Sequence, residues 1–437
     1  MSRKDPDFSP PEVKLRSDSN IIVQKRKYEL ITPLFGGGVK TMEADPVTII
    51  RGSSIRGQLR FWWRATRGGQ FNGDLQKMKE AEDLLWGAAS TETAPRPSMV
   101  QIEVSIDYEG KPDAPFEVIN KPDKQGRPKR VVQPRPDSTA PAYAVFPLQP
   151  SEEDAQIGGV GMTTKSIRTD IRFTLKLSLE KDREDRNLTE VEAALWAWET
   201  FGGIGGRTRR GLGALKCTSI SDKAVPLLKR EAVETNLHKS LQHHVLEGIW
   251  PPNVPYVDRQ GRNIKVVNRN GNVLQVWQAL IVALRNFRQA RYGKMGKSKW
   301  PEANEIRRRA GLPPKLADNK TTNDLVEKFP RALFGLPIVF HMAHDPSLKK
   351  LTLSLQGANN IQRLASPLIL RPLECTGGAV GLAVILSTTS VPPDGLSLEG
   401  IPLSGDQPDA NLTKNEARKI DPLDGNPDVL QAFLNTL

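Results

Sequence analysis

Residues 201–215 read FGGIGGRTRRGLGAL, a stretch holding six glycines and three arginines. Neither a helix interior nor an ordinary strand accepts that glycine density, so this is a loop whose backbone takes positive φ or lies close against something. Its flanks constrain the fold around it. Upstream, Val191, Ala194, Leu195 and Trp198 share one helical face behind a Thr189–Glu192 capping box, and Gly202 and Gly203 stop that helix. Downstream, LGALKCTSI (212–220) alternates as a strand. The loop therefore runs from helix to strand. Dinucleotide-binding and P-loop motifs run from strand to helix, and neither glycine spacing fits residues 202–213. Nucleotide cofactors are excluded on order alone. What remains is an anion held jointly by main-chain N–H groups and guanidinium forks, or a glycine-rich turn with solvated arginines.

The rest of the chain favours a polyanion. A formal net charge of +12 and an isoelectric point near 9.6 suit nucleic acid or an anionic membrane surface. The longest apolar run near the end, AVGLAVIL, is too short to span a bilayer, and the first residues are polar. Two cysteines, Cys217 and Cys375, make neither a disulfide framework nor a cysteine zinc site, so a cytoplasmic protein without metal or other cofactor is expected. At 437 residues the chain exceeds one ordinary core. We expect a flexible end over 1–25, a first module over 26–224 and a second, diverged module with a helical insertion over 225–437.

Within the first module, RKYELITPL (26–34) reads as a strand broken by Phe35–Gly38. Ser53 or Ser54 can then cap a helix whose Ile55, Leu59, Trp62 and Trp63 face the core. Arg56, Arg60, Arg64 and Arg67 repeat on a neighbouring face as a basic stripe. The strands 99–108 and 171–180 flank a proline-, lysine- and arginine-rich stretch, 109–142, that reads as a mobile loop. In the second module, 273–292 is a strongly apolar helix with a basic end (Arg285, Arg288, Arg291, Lys294, Lys297). RLASPLILRPLEC and AVGLAVILSTT form a hairpin around TGG, and 392–409 reads as loop. Strands interleaved with single amphipathic helices give an α+β protein of two tandem ferredoxin-like (RRM-like) modules with antiparallel sheets and helical insertions. His341, His344 and Asp345 have a spacing a metal could use, but no wider ligand framework surrounds them, and a structural role is the better reading. Asp45, in KTMEADPV, is the one acidic residue near the basic elements with catalytic potential. It reads first as an Asp-Pro turn initiator.

Three segments together, ITPLFGGG, IRGSSIRGQLRFWWRA and FGGIGGRTRRGLGAL, resemble the repeat-associated mysterious protein (RAMP) superfamily over residues 31–215. The paired tryptophans and the TPLFGGG start look most like the first-numbered subunits of Cmr, the type III-B CRISPR effector. That resemblance implies a non-catalytic antiviral subunit contacting guide RNA (crRNA) near its 3′ end and the paired target RNA, alongside other RAMP subunits. It implies phosphate contacts from Arg207, Arg209 and Arg210, close backbone approach at Gly205 and Gly206, and a track extended by Arg56, Arg60 and Arg64, with Lys40 and Arg51 as lesser candidates. Trp62 and Trp63 are assigned to core. The alternative is a RAMP endoribonuclease, either trimming guide RNA through a histidine or cleaving target RNA through Asp45 and a divalent metal. No histidine precedes His238, which argues against the first.

Overall fold

The computed structural model describes residues 20–38, 42–45, 47–89, 96–123, 125–162, 164–181, 186–293, 296–342, 345–348, 353–358, 363–388, 395–400 and 406–437. Strand β1 (Ile21–Leu30) starts inside the segment expected to be a flexible end, because Ile21 and Ile22 already pair with Glu180 and Leu179. Helix α1 (Gly52–Arg67) follows, then α2 (Leu75–Trp86) and β2 (Val100–Tyr108). After an excursion come β3 (Arg172–Glu180), α3 (Arg186–Phe201) and β4 (Leu215–Ile220). The strands form one antiparallel sheet in the order β2-β3-β1-β4, with the short Lys223–Ala224 strand at the edge.

Alternation decides which face of this sheet is covered. Phe173, Leu175, Leu177 and Leu179 of β3 are buried while their neighbours are not. Phe173, Leu175 and Leu177 share one core with Ile55, Leu59, Trp62 and Trp63 of α1 and Val191, Ala194, Leu195 and Trp198 of α3, so both tryptophans of the pair are core as expected. Each such side chain contributes about 1.5–3 kcal/mol by leaving water. Two expected caps differ. Arg51 is the N-cap of α1 and makes no side-chain cap, so neither Ser53 nor Ser54 takes that role. Helix α3 is already formed at Arg186, which puts Thr189 inside its first turn.

The 109–142 segment is built, not loose. Phe116–Pro122 and Pro128–Pro134 form an antiparallel hairpin whose Asp123 Oδ1 accepts from the N–H groups of Gln125 (2.8 Å) and Arg127 (2.9 Å). Phe116 and Val118 are buried, and that apolar alternation is hidden by the prolines and lysines around it.

In the second half, α4 (Val233–His244) precedes β5 (Ile264–Val267), α5 (Val273–Arg288), α6 (Glu302–Arg309), β6 (Leu368–Cys375) and β7 (Gly378–Ile385). The β6–β7 hairpin is as expected, and α5 ends at Arg288, short of 292. These strands order β5-β7-β6, all antiparallel, which repeats the first sheet's β1, α1, β2, β3 pattern in chain order and in space. A further antiparallel sheet joins Ile338–Phe340, Leu353–Gly357 and Leu396–Glu399, so part of the expected tail loop is strand. The architecture is α+β with antiparallel sheets. Its buried clusters cross the midpoint of the chain: Leu237, Leu241, Val257, Leu382 and Val384 pack into the first core, while Phe35, Phe116, Val145 and Leu212 pack into the second. No described helix is long and apolar enough to cross a membrane.

Candidate nucleic-acid interface

The loop after α3 is a junction between the halves. Gly202 N–H closes α3 onto Trp198 O (2.9 Å), and Ile204 N–H reaches Gly213 O (2.9 Å). Gly205 has φ +80°, and a Cβ there would lie 2.6 Å from Leu34 Cδ1 and 2.7 Å from Phe35 O. Gly206 N–H donates to that same Phe35 O at 2.6 Å. The close backbone approach expected at these two glycines is therefore made by the chain's own Leu34–Phe35 segment. A short turn, Thr208–Arg210, then aims its arginines across the junction. Arg207 Nε donates to Ala144 O (2.5 Å), Arg209 to Ser366 O, and Arg210 Nη1 to Leu368 O (3.1 Å). Trp277 of α5 returns a bond to Arg210 O at 2.7 Å.

These three arginines are partly exposed and have no carboxylate partner among the described residues. Burial holds Arg207 and Arg209 below the ordinary guanidinium range; Arg288 acts in the same direction on Arg207. Burial, then Arg288, Arg207 and Arg209, pull Arg210 down to about 9. Beside them, Arg371 of β6 is fully buried and donates to Glu199 O (2.7 Å), Gly202 O (2.9 Å) and Leu215 O (3.0 Å). A cation over the carbonyls that end α3 complements the helix dipole. Its signal was available: an arginine within LILRPL interrupts an otherwise buried strand.

The arginine stripe of α1 is committed elsewhere. Arg60 pairs with Glu82 (2.5 Å) and Asp83 (3.2 Å), and Arg64 also reaches Glu82. Arg56 donates to Trp86 O (3.1 Å), Val100 O (3.0 Å) and Ser98 Oγ, and Arg67 pairs with Glu190 (2.6 Å). The stripe ties α1 to α2, β2 and α3. The acidic pair Glu82–Asp83 in AEDLLW supplies the missing partners, a match that periodicity on α1 alone does not reveal.

A groove of about 330 Å³ opens where the two glycine loops meet the first turns of α1, lined by Gly37, Arg51, Ser54, Gly57, Ile204 and Gly205. Arg51 Nη2 donates to Gly37 O (2.7 Å), while its buried Nε has no partner. Gly57 sits inside α1 with nothing within 4 Å of where a Cβ would stand. Lys40 lies outside the described residues. Asp45 Oδ1 accepts from the N–H groups of Thr48 (2.8 Å) and Val47 (3.0 Å), bonds that hold its carboxyl below the usual range and make it a turn former. Asp345 pairs with Arg307 and Lys315 (3.4 Å), the structural role expected of it, and His344 is outside the described residues. No group of three His, Cys, Asp or Glu among the described residues is placed to hold a metal.

Residues 27–216, the first sheet with its helices, match the sequence model of the RAMP superfamily, bearing out the resemblance carried by the three motifs. Among named proteins, the chain is 26% identical over 188 residues to CRISPR system Cmr subunit Cmr1-2 of Pyrococcus furiosus, covering 43% of this chain and 91% of that one. It is 26% identical over 176 residues to Cmr1-1 of the same organism, covering 40% of this chain and 43% of that one. Among solved structures, the apo crystal structure of Cmr1 from Pyrococcus furiosus aligns over 92% of this chain and 96% of that one, with a TM-score of 0.48 and 17% identity.

Proposed function

We propose that this chain is a non-catalytic, RNA-binding subunit of a type III-B CRISPR ribonucleoprotein. It holds guide RNA near its 3′ end, or the target paired with it, through backbone contacts beside other RAMP subunits in the cytoplasm. Each half is a ferredoxin-like module, a reading supported by the shared antiparallel order of their first three strands. Relatives that match about two fifths of the chain are named as Cmr subunits, and the net charge of +12 suits a polyanion. The observation that carries the proposal is Gly57. A glycine inside a helix costs about 1 kcal/mol against alanine, yet no neighbour requires it here, and the space left open faces a groove with Arg51 at its wall. Room kept at a cost in helix stability is room for a ligand. The commitment of the Asp45 carboxylate to Val47 and Thr48 argues against metal-assisted cleavage.

The test is fluorescence anisotropy with mixed-sequence single-stranded RNA at several salt concentrations. Gly57→Ala should melt higher and bind more weakly, because its Cβ takes up the room left open. Gly57→Glu, with its helix intact, should bind on the order of tenfold more weakly by placing a negative charge where phosphate would lie. Parent-like binding by Gly57→Glu would remove the groove from the RNA path and with it this reading.

A further inference from the structure

Burying an arginine is costly unless something answers its charge. Across the described residues the fold usually supplies a carboxylate: Glu199 for Arg26, Glu190 for Arg67, Glu305 for Arg309, Asp345 for Arg307 and Glu302 for Arg331. Five arginines at the junction break that habit: Arg371 is fully enclosed by the carbonyls it meets, and four others are not. Arg207, Arg209 and Arg210 come from the first half and Arg288 from the end of α5. Each is half-buried, and among the described residues what answers them is neutral oxygen and, for Arg207, Arg209 and Arg288, an aromatic ring.

They converge. Arg207 bonds Ala144 O, and Arg288 Nη1 donates to Tyr143 Oη at 3.2 Å, on adjacent residues of the short helix Ala142–Val145. Trp277, which holds Arg210 O, precedes Arg288 by eleven residues, three turns along the same face of α5. Each guanidinium has five N–H donors, and these bonds use few of them; Arg288 Nε is buried with no hydrogen-bond partner among the described residues. The mutual lowering of Arg207 and Arg210 by Arg288 is the electrostatic counterpart of this crowding. An aromatic ring stands at the edge: Phe146 is 55% exposed, with the Arg207 guanidinium 4.9 Å above its centroid.

We propose that Arg288 completes, with Arg207, Arg209 and Arg210, a phosphate-binding site shared by the two halves, and that Phe146 is the platform for the base next to that phosphate. Guanidinium forks match phosphate oxygens in pairs, and a half-exposed ring offers a sequence-tolerant stacking face. The proposal rests on the RNA-binding reading above but uses none of the groove residues. The phosphate is either a phosphodiester within a strand or the terminal phosphate of an RNA end.

The experiment measures binding of Arg288→Ala and Arg288→Gln to single-stranded RNAs ending in 3′-hydroxyl, 3′-phosphate or 5′-phosphate, with inorganic phosphate as competitor and melting temperature as the folding control. Arg288→Gln serves where the alanine protein melts low. Affinity should fall on the order of tenfold, with the salt slope shallower by about 0.7 for each phosphate no longer neutralised. Arg288→Lys should recover part of the loss, because it keeps the charge and loses the fork. An equal loss for all ends identifies a phosphodiester; a loss confined to one phosphorylated end identifies a terminal phosphate. Phe146→Ala should weaken RNA while leaving competition by inorganic phosphate unchanged. Unchanged affinity and slope in both Arg288 variants overturn the shared site. If Gly57→Glu is still impaired, the RNA-binding reading survives that failure; if it too is parent-like, both fall.

Discussion

Replacing Arg371 tests how the halves are joined. Its guanidinium is fully buried and donates to Glu199 O, Gly202 O and Leu215 O at 2.7–3.0 Å. Arg371→Ala leaves these carbonyls without the cation that satisfies them, at about 1–3 kcal/mol each for a buried orphan. The lost side chain also removes buried methylenes worth about 0.8 kcal/mol apiece. Against this stands the relief of no longer burying a charge. Burial pulls Arg371 down to about 9, and at about 1.36 kcal/mol per pKa unit that relief is on the order of 5 kcal/mol.

The carbonyl and packing terms win at their central values, so the net loss should be about 3 kcal/mol, a large fraction of an ordinary domain's 5–15 kcal/mol. Arg371→Met separates the terms: it orphans the same carbonyls but fills the space, and should lose less than alanine. Urea unfolding followed by tryptophan fluorescence and circular dichroism reads both. An alanine protein as stable as the parent would show that water replaces the guanidinium at those carbonyls, and the account of Arg371 as the tie between β6, α3 and β4 would fail.

Arg60→Ala with Arg64→Ala should destabilise the fold by about 1–3 kcal/mol by leaving Glu82, itself buried, without its cations. The same double variant should leave the salt dependence of RNA binding unchanged, and a shallower slope would return the α1 stripe to the RNA path. His244 is lowered to about 4 by burial, then by His243, Arg67 and Arg26, while its ring stacks on Trp196 at 4.9 Å. Its folded value lies below the unfolded value of about 6.5. The unfolded chain therefore binds the proton more readily, and stability should be fully present above pH 6.5 and fall as pH drops toward 4. His244→Phe keeps the stacked ring and should flatten that part of the urea-midpoint profile; an unchanged slope would place the titration elsewhere.

The first sheet was legible because a half-covered strand writes its burial into alternation, as β3 does in RFTLKLSLE, and because α1 and α3 carry apolar faces at helical spacing. The partners of the α1 stripe were not legible, for a reason in the same physics. Periodicity places Arg56, Arg60 and Arg64 on one face but says nothing of what faces them, and the answering carboxylates lie on α2, some twenty residues away. The hairpin at 116–134 was lost because its composition is that of a linker, while its order comes from two buried side chains and one aspartate turn.

The glycine-rich loop was placed correctly between helix and strand, yet its glycines and arginines answer different demands. Gly205 and Gly206 are small because Leu34 and Phe35 occupy the space a side chain would need, so their replacement reports on folding whatever the loop binds. Arg209 and Arg210 reach carbonyls of the opposite half, Ser366 O and Leu368 O, while Arg207 reaches Ala144 O of its own half beside the Phe35 and Phe146 rings, and those carbonyls satisfy only part of their donors. A neutral oxygen can orient a guanidinium without cancelling its charge. The fold thus positions Arg207, Arg209 and Arg210 in advance without a carboxylate among the described residues to answer their charge, which lowers the ordering cost of any anion they meet. Hence an isolated loop with the same residues should bind phosphate more weakly than the intact chain, because its arginines would have to be ordered at the moment of binding.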